Sequence, residues 1–142
     1  MRKKDVSDFI IKHNLKNIVQ LPFQPRENIH NSLGSSDIQV VILGNGQVGF
    51  THPNKVYGAM YIGKPILYIG PTESHVADLL NDLEGNISVQ HGESKILADR
   101  IELLFSKSWD EINNIGENNL TYANNNFHPD VLKQKMIDAI IG

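Results

Sequence analysis

The run Asp37-Ile38-Gln39-Val40-Val41-Ile42-Leu43, followed at once by Gly44-Asn45-Gly46-Gln47-Val48-Gly49, decides how this chain folds. Its almost continuous apolar stretch predicts a strand covered on both faces, because a strand with one wet face alternates apolar and polar residues. Such strands belong to parallel sheets with helices packed on either side.

The neighbouring segments fit the same plan. Toward the C-terminus the pattern predicts a helix from about Asn54 to Ile62, then a strand over Ile66-Leu67-Tyr68-Ile69 that Gly70-Pro71 ends sharply. Pro71-Thr72-Glu73 reads as a helix opening, with Val76, Ala77, Leu79, Leu80 and Leu83 as its buried stripe. A further strand is expected at Asn86 to Gln90, and a helix from Glu93 to Phe105 on Ile96, Leu97, Ile101 and Leu104. Helical pieces continue through Trp109 and Tyr122, Asn124-Asn125-Asn126 predicts a polar break, and a last helix runs from Pro129 to Ile141. Toward the N-terminus a helix is expected from Asp5 to Asn14 and a short strand from Asn17 to Leu21. A proline-rich loop, Pro22-Phe23-Gln24-Pro25-Arg26-Glu27, and a helix from Asn28 to Leu33 come next. The order predicts one α/β domain over residues 1–142: a Rossmann-like parallel sheet of about four strands flanked by helices, closed by C-terminal helices.

Composition narrows the function. With 142 residues, 40% hydrophobic, 20% charged and a net charge of -3, the chain is an ordinary globular domain. It carries no global field to gather nucleic acid or an anionic membrane, so an anionic ligand must be held locally. The absence of cysteine removes disulfides, thiol nucleophiles and thiolate metal sites and suits a cytoplasmic protein. Met1-Arg2-Lys3-Lys4-Asp5 leads into an amphipathic stretch, which argues against a signal peptide, and no segment approaches the ~18 apolar residues of a membrane span. None of the six histidines stands at a metal-ligand spacing, so no metal is expected.

Gly44-Asn45-Gly46-Gln47-Val48-Gly49 is a literal G-x-G-x-x-G after a strand, the pattern that cradles a dinucleotide pyrophosphate. That fingerprint needs its third glycine in the first turn of a helix, whereas Pro53 drives residue 52 out of helical geometry and keeps the loop running. The next strand also ends Tyr68-Ile69-Gly70, without an acidic residue for a ribose hydroxyl. A second site is suggested by Thr51-His52-Pro53-Asn54-Lys55 ahead of the helix holding Val56, Tyr57, Ala59 and Met60. Asn54 suits an N-cap, the first-turn N–H groups suit a diphosphate and Lys55 can add a charge. Equally, Asn54 can be a cap alone and Lys55 a solvated surface residue.

Taken in order, several motifs resemble the C-terminal domain of family-four GT-B glycosyltransferases, especially a bacterial subgroup with Pro-Ser-Lys before a Tyr-Gly helix. They are Asn17-Ile18-Val19-Gln20-Leu21-Pro22-Phe23-Gln24-Pro25-Arg26-Glu27, Ser36-Asp37, His52-Pro53-Asn54-Lys55-Val56-Tyr57-Gly58-Ala59-Met60, Gly63-Lys64-Pro65 and Tyr68-Ile69-Gly70-Pro71-Thr72-Glu73-Ser74-His75-Val76. Gly92-Glu93 and Tyr122-Ala123-Asn124-Asn125-Asn126-Phe127 resemble the closing elements of that family, so the resemblance spans nearly the whole chain.

This resemblance implies a nucleotide-diphospho-sugar donor lying across the C-terminal edge of the sheet, with no cofactor, and a glycan or lipid-linked acceptor. The base would meet Phe23 and Gln24; the diphosphate would meet the region holding Gly46, Gly49, Thr51, His52, Asn54 and Lys55, with Tyr57 and Gly58 beside it. Phe23 also suits a core position, and His52 and His75 suit structural hydrogen bonds. The paired glutamates of many relatives fall here at Phe50 and Gly58, and the family's catalytic Arg/Lys pair lies in strand units that would precede Met1, as would an N-terminal acceptor domain. The catalytic residues are therefore not identified within the chain, and peripheral membrane association is an expectation for a full enzyme. The rival readings are a non-catalytic nucleotide-binding or interaction module, a nucleotide-sugar epimerase fragment and a nicotinamide-dependent oxidoreductase.

Overall fold

The computed structural model describes residues 3–51 and 53–141; the expectation for His52 lies outside them. Helix α1 (Lys3–Lys12) is followed by an irregular segment and a 3-10 turn (Arg26–Asn28) that runs into α2 (Ile29–Gly34). Then come β1 (Gln39–Ile42), α3 (Lys55–Tyr61), β2 (Ile66–Ile69), α4 (His75–Asn81) and β3 (Ile87–Val89). Three helices close the chain: α5 (Ser94–Phe105), α6 (Trp109–Phe127) and α7 (Pro129–Ile141). The sheet has three parallel strands in the order β1-β2-β3, with Val40 opposite Leu67 and Tyr68 opposite Ser88. This is the expected mixed α/β architecture with a smaller sheet.

The alternation of side chains along each strand divides the core into two layers. On one face Val41, Leu43, Ile66 and Tyr68 pack against Val56, Ala59 and Met60 of α3 and Val76, Ala77, Leu79 and Leu80 of α4. On the other, Leu67, Ile87 and Val89 meet Leu97, Ile101 and Leu104 of α5 and Ile112 and Ile115 of α6. Ile96, expected in that stripe, is 45% exposed, because the helix phase that buries Leu97 and Ile101 turns it outward. Ala123 of α6 belongs to the first layer and Ile115 to the second, so this one helix passes from layer to layer.

That passage is held at the N-terminal ends of the strands by an amide pair, the buried Asn119 and the half-buried Asn86. Asn119 of α6 donates from Nδ2 to the Lys64 carbonyl at 2.9 Å and to Asn86 Oδ1 at 2.9 Å, and its Oδ1 accepts from Asn86 Nδ2 at 2.9 Å. Asn86 Oδ1 also accepts from the Ile66 N–H at 2.8 Å, and Asn86 Nδ2 donates to the Leu83 carbonyl at 3.0 Å. Close by, Gly116 lies against the backbone of Gly63, whose carbonyl oxygen a Cβ at 116 would overlap. Gly63 itself takes φ +68 just after α3, the left-handed conformation that ends a helix at little cost in glycine.

Three sequence expectations are corrected. Asn17–Leu21 forms no strand; it is irregular, with Val19 78% and Leu21 67% exposed, and it pairs with no strand among the described residues. Its residues favour a strand, but the segment does not pair with the open edge of β1, and without a ladder nothing repays the ordering of its backbone. Asn124-Asn125-Asn126 does not break the chain, since α6 continues to Phe127. A capping box starts that helix: Ser108 Oγ accepts from the Glu111 N–H, while the Glu111 carboxylate accepts from the Ser108 N–H and hydroxyl, which hold its pKa below the usual value. The helix opening read at Pro71 lies at Ser74 instead, whose Oγ accepts from the Ala77 N–H at 3.2 Å.

Two outcomes follow from this architecture. Asn119→Ala leaves the Lys64 carbonyl and one face of Asn86 unpaired in a buried place, and is expected to lower unfolding free energy by about 2–4 kcal/mol in urea melts. The strand of Gln39–Ile42 is not covered on both faces as its sequence predicts: Val40 and Ile42 are 51% and 61% exposed, because among the described residues no partner strand lies on its outer side, and neither charge nor proline blunts that edge. The protein is expected to self-associate with rising concentration in sedimentation experiments, and Val40→Lys to shift the distribution toward monomer.

Candidate functional site

The N-terminal ends of β2 and β3 are closed by α6 through Asn119, and the clefts lie at the C-terminal ends. There the loop after β1 and the turn after β2 face each other across a cleft of about 210 Å³. Its walls are Leu43, Val48, Gly49, Phe50, Thr51 and Pro53 on one side and Ser74, His75 and Val76 on the other. Val48 is shared with a second, more polar cleft of about 360 Å³, lined by Asn45, Pro71, Thr72, Glu73 and Gln90.

The backbone around these clefts is tightly tied. After β1 the chain makes a 3-10 turn over Asn45–Gln47, and the Phe50 and Thr51 N–H groups donate to the Gln47 carbonyl at 3.1 and 2.9 Å. Gly49 takes φ +80, so a side chain there is disfavoured. No α-helix begins within Gly44–Gly49; α3 starts at Lys55, and the loop lacks the dinucleotide-cradling geometry. After β2 the fully buried Tyr68 places its hydroxyl 2.8 Å from Ser74 Oγ and 3.2 Å from the Pro71 carbonyl, and Ser74 Oγ donates to that carbonyl at 2.8 Å. Gly70 sits over that hydroxyl so closely that a Cβ would overlap it. His91, which the sequence reading did not single out, places Nε2 2.8 Å from the Leu43 carbonyl, joining the loop after β3 to the end of β1.

The sequence-predicted residues do not all converge. Gly49 and Thr51 line the first cleft, and Gly46 lies in the 3-10 turn leading to it. Asn54 occupies the N-cap position of α3 and makes no side-chain cap hydrogen bond. Lys55 and Gly58 face another groove, of about 370 Å³, where Ile29 and Leu33 of α2 run beside Val40 and Val41 of β1. Tyr57 turns to α4 and α6: its hydroxyl stands 3.1 Å from His75 Nε2, its ring meets Phe127 edge-on at 4.8 Å, and burial raises its pKa, which keeps the phenol protonated. Phe23 is 95% exposed, which removes the core alternative, and Gln24 donates to the Pro22 carbonyl at 3.0 Å within its own loop. Neither lines a described cleft.

The first cleft is mainly apolar, with the Thr51 hydroxyl and the His75 ring as its polar handles. Among the described residues no lysine or arginine lines either cleft, and no group of three or more His, Asp or Glu could hold a metal ion. Comparison with protein-family models, with curated proteins and with solved structures finds no match.

Gly58 now has a definite environment. A Cβ built there meets nothing within 4 Å, so the glycine is not required by close packing. Gly58→Ala is expected to raise stability by about 0.5–1 kcal/mol through helix propensity, measured as an increase in Tm.

Proposed function

We propose that this chain is the nucleotide-sugar-binding portion of a retaining glycosyltransferase, working from the cytoplasm, which passes a sugar from a nucleoside-diphosphate donor to a glycan or lipid-linked acceptor. One observation carries the reading. The cleft at the C-terminal ends of β1 and β2 is built from Gly49, Thr51, Pro53, Ser74, His75 and Val76, which lie in or beside the ordered motifs of that family. Parallel α/β sheets bind ligands at this edge, outside the carboxyl ends of their strands. In this reading the apolar walls receive part of the nucleotide, while Thr51 and His75 direct its polar groups.

A second reading, a nucleotide-binding module without catalysis, is favoured by the lack of a lysine or arginine along either cleft. Departure of a nucleoside diphosphate needs preorganised positive charge, whose loss costs roughly 10²–10³ in rate. Transfer also needs an acceptor held against the donor. Both readings expect this chain, by itself, to bind without turnover.

The test is a titration of isotope-labelled protein with UDP, GDP and their hexose derivatives, followed by amide chemical shifts and by release of free nucleotide. The expected result is movement of Gly49, Thr51, His75 and Val76 without measurable turnover. His75→Ala should weaken nucleotide binding by about three- to tenfold, the scale of one hydrogen bond. Lys55→Ala, on the other groove, should change it by less than about twofold on the same scale. Silence at these amides with every nucleotide would end the reading.

A further inference from the structure

We infer that the second cleft, between Asn45, Thr72, Glu73 and Gln90, holds a neutral sugar ring by its hydroxyl groups; this deepens the proposed function and rests on it. The four residues come from the loops that follow β1, β2 and β3, so all three strands present them at one edge. The backbone beside them is tied. Gly70 N–H donates to the Val89 carbonyl at 3.0 Å, Ser74 Oγ holds Pro71, and the Gln90 N–H donates to Glu93 Oε2 at 2.7 Å. Their side chains are uncommitted: among the described residues none of the four makes a hydrogen bond or ion pair. The tied backbone needs little reordering on binding, and the cost falls on ordering these four exposed side chains.

The kind of polar group decides the ligand. Two amides, a hydroxyl and a carboxylate offer donors and acceptors side by side, which suits a sugar hydroxyl that donates and accepts together. The cleft carries no cation for a phosphate, and the Glu73 carboxylate would oppose one. A metal ion is disfavoured because Glu73 is the only carboxylate among the lining residues. Val48 and Pro71 provide apolar surface for the C–H face of a ring, and Val48 also borders the first cleft. A donor spanning both would leave its nucleotide in one and its sugar in the other. The same hydroxyl chemistry could come instead from the terminal sugar of an acceptor.

The test uses the intact chain, isotope-labelled, with UDP and GDP, with UDP-glucose and GDP-mannose, and with free mono- and oligosaccharides of glucose, galactose, mannose and N-acetylglucosamine. The nucleotide-sugars, and not the bare nucleotides, are expected to move the amides of Asn45, Thr72, Glu73 and Gln90. Glu73→Ala and Gln90→Ala, at exposed positions outside the core, should lower affinity for a nucleotide-sugar by about five- to tenfold and leave UDP or GDP affinity unchanged. Movement of the same four amides by free saccharides alone would support the subsite and assign it to the acceptor. The subsite is overturned if no saccharide or nucleotide-sugar moves those amides, or if both variants bind nucleotide-sugars as the parent does. Silence at Thr51 and His75 with UDP and GDP would instead overturn the nucleotide reading and leave the sugar result separate.

Discussion

The amide pair between the half-buried Asn86 and the buried Asn119 is the constraint on which the rest depends. Asn119 is fully buried in the middle of a 19-residue helix, a place where a side-chain amide is tolerated only if its bonds are made. Here they are made to the residue before Pro65, to the residue before β3 and, through Asn86, to the first residue of β2. The pair therefore does what an apolar contact could not: it sets the rotation and height of α6 relative to two strand starts. Gly116, one turn earlier and pressed on Gly63, fixes the distance. With α6 so placed, Ile112 and Ile115 reach one layer of the core and Ala123 the other.

With one end of the sheet closed by α6, the two clefts lie at the other. The loops at the C-terminal ends are held from beneath, by the Tyr68 and Ser74 hydroxyls and by His91, so their outward side chains need not support the fold. The side of the sheet is different. The uncovered β1 edge and the groove shared by α2 and α3 are apolar, and Lys55 and Gly58 lie there because α3 is phased by burying Val56, Ala59 and Met60. Residues three apart share a helix face, so Lys55 and Gly58 travel together.

How much of this was legible in the sequence depended on how local the deciding interaction is. Ile66–Ile69 and Pro129–Ile141 are read to the residue, since the apolar run and the Gly-Pro or proline boundary lie within a few positions. Asn17–Leu21 has strand composition, but a strand exists only when another edge receives it, and no local pattern reports that. The three asparagines near the end of α6 disfavour helix locally, yet the capping box and the buried opposite face override them. At the site, Gly49 and Thr51 were placed by loop chemistry. The His75–Tyr57 contact and the His91 bond to Leu43 join residues 18 and 48 positions apart, and only the assembled fold reveals them.

The tied backbone beneath the second cleft separates two kinds of position. Tyr68, Gly70 and Ser74 answer for conformation, and a change at any of them disturbs a buried hydroxyl or a glycine that admits no side chain. Asn45, Thr72, Glu73 and Gln90 answer for nothing inside the molecule. Random mutagenesis should therefore find the second set permissive for folding and the first set intolerant, and a library restricted to those four positions should vary the chemistry of the cleft while every member inherits the same scaffold.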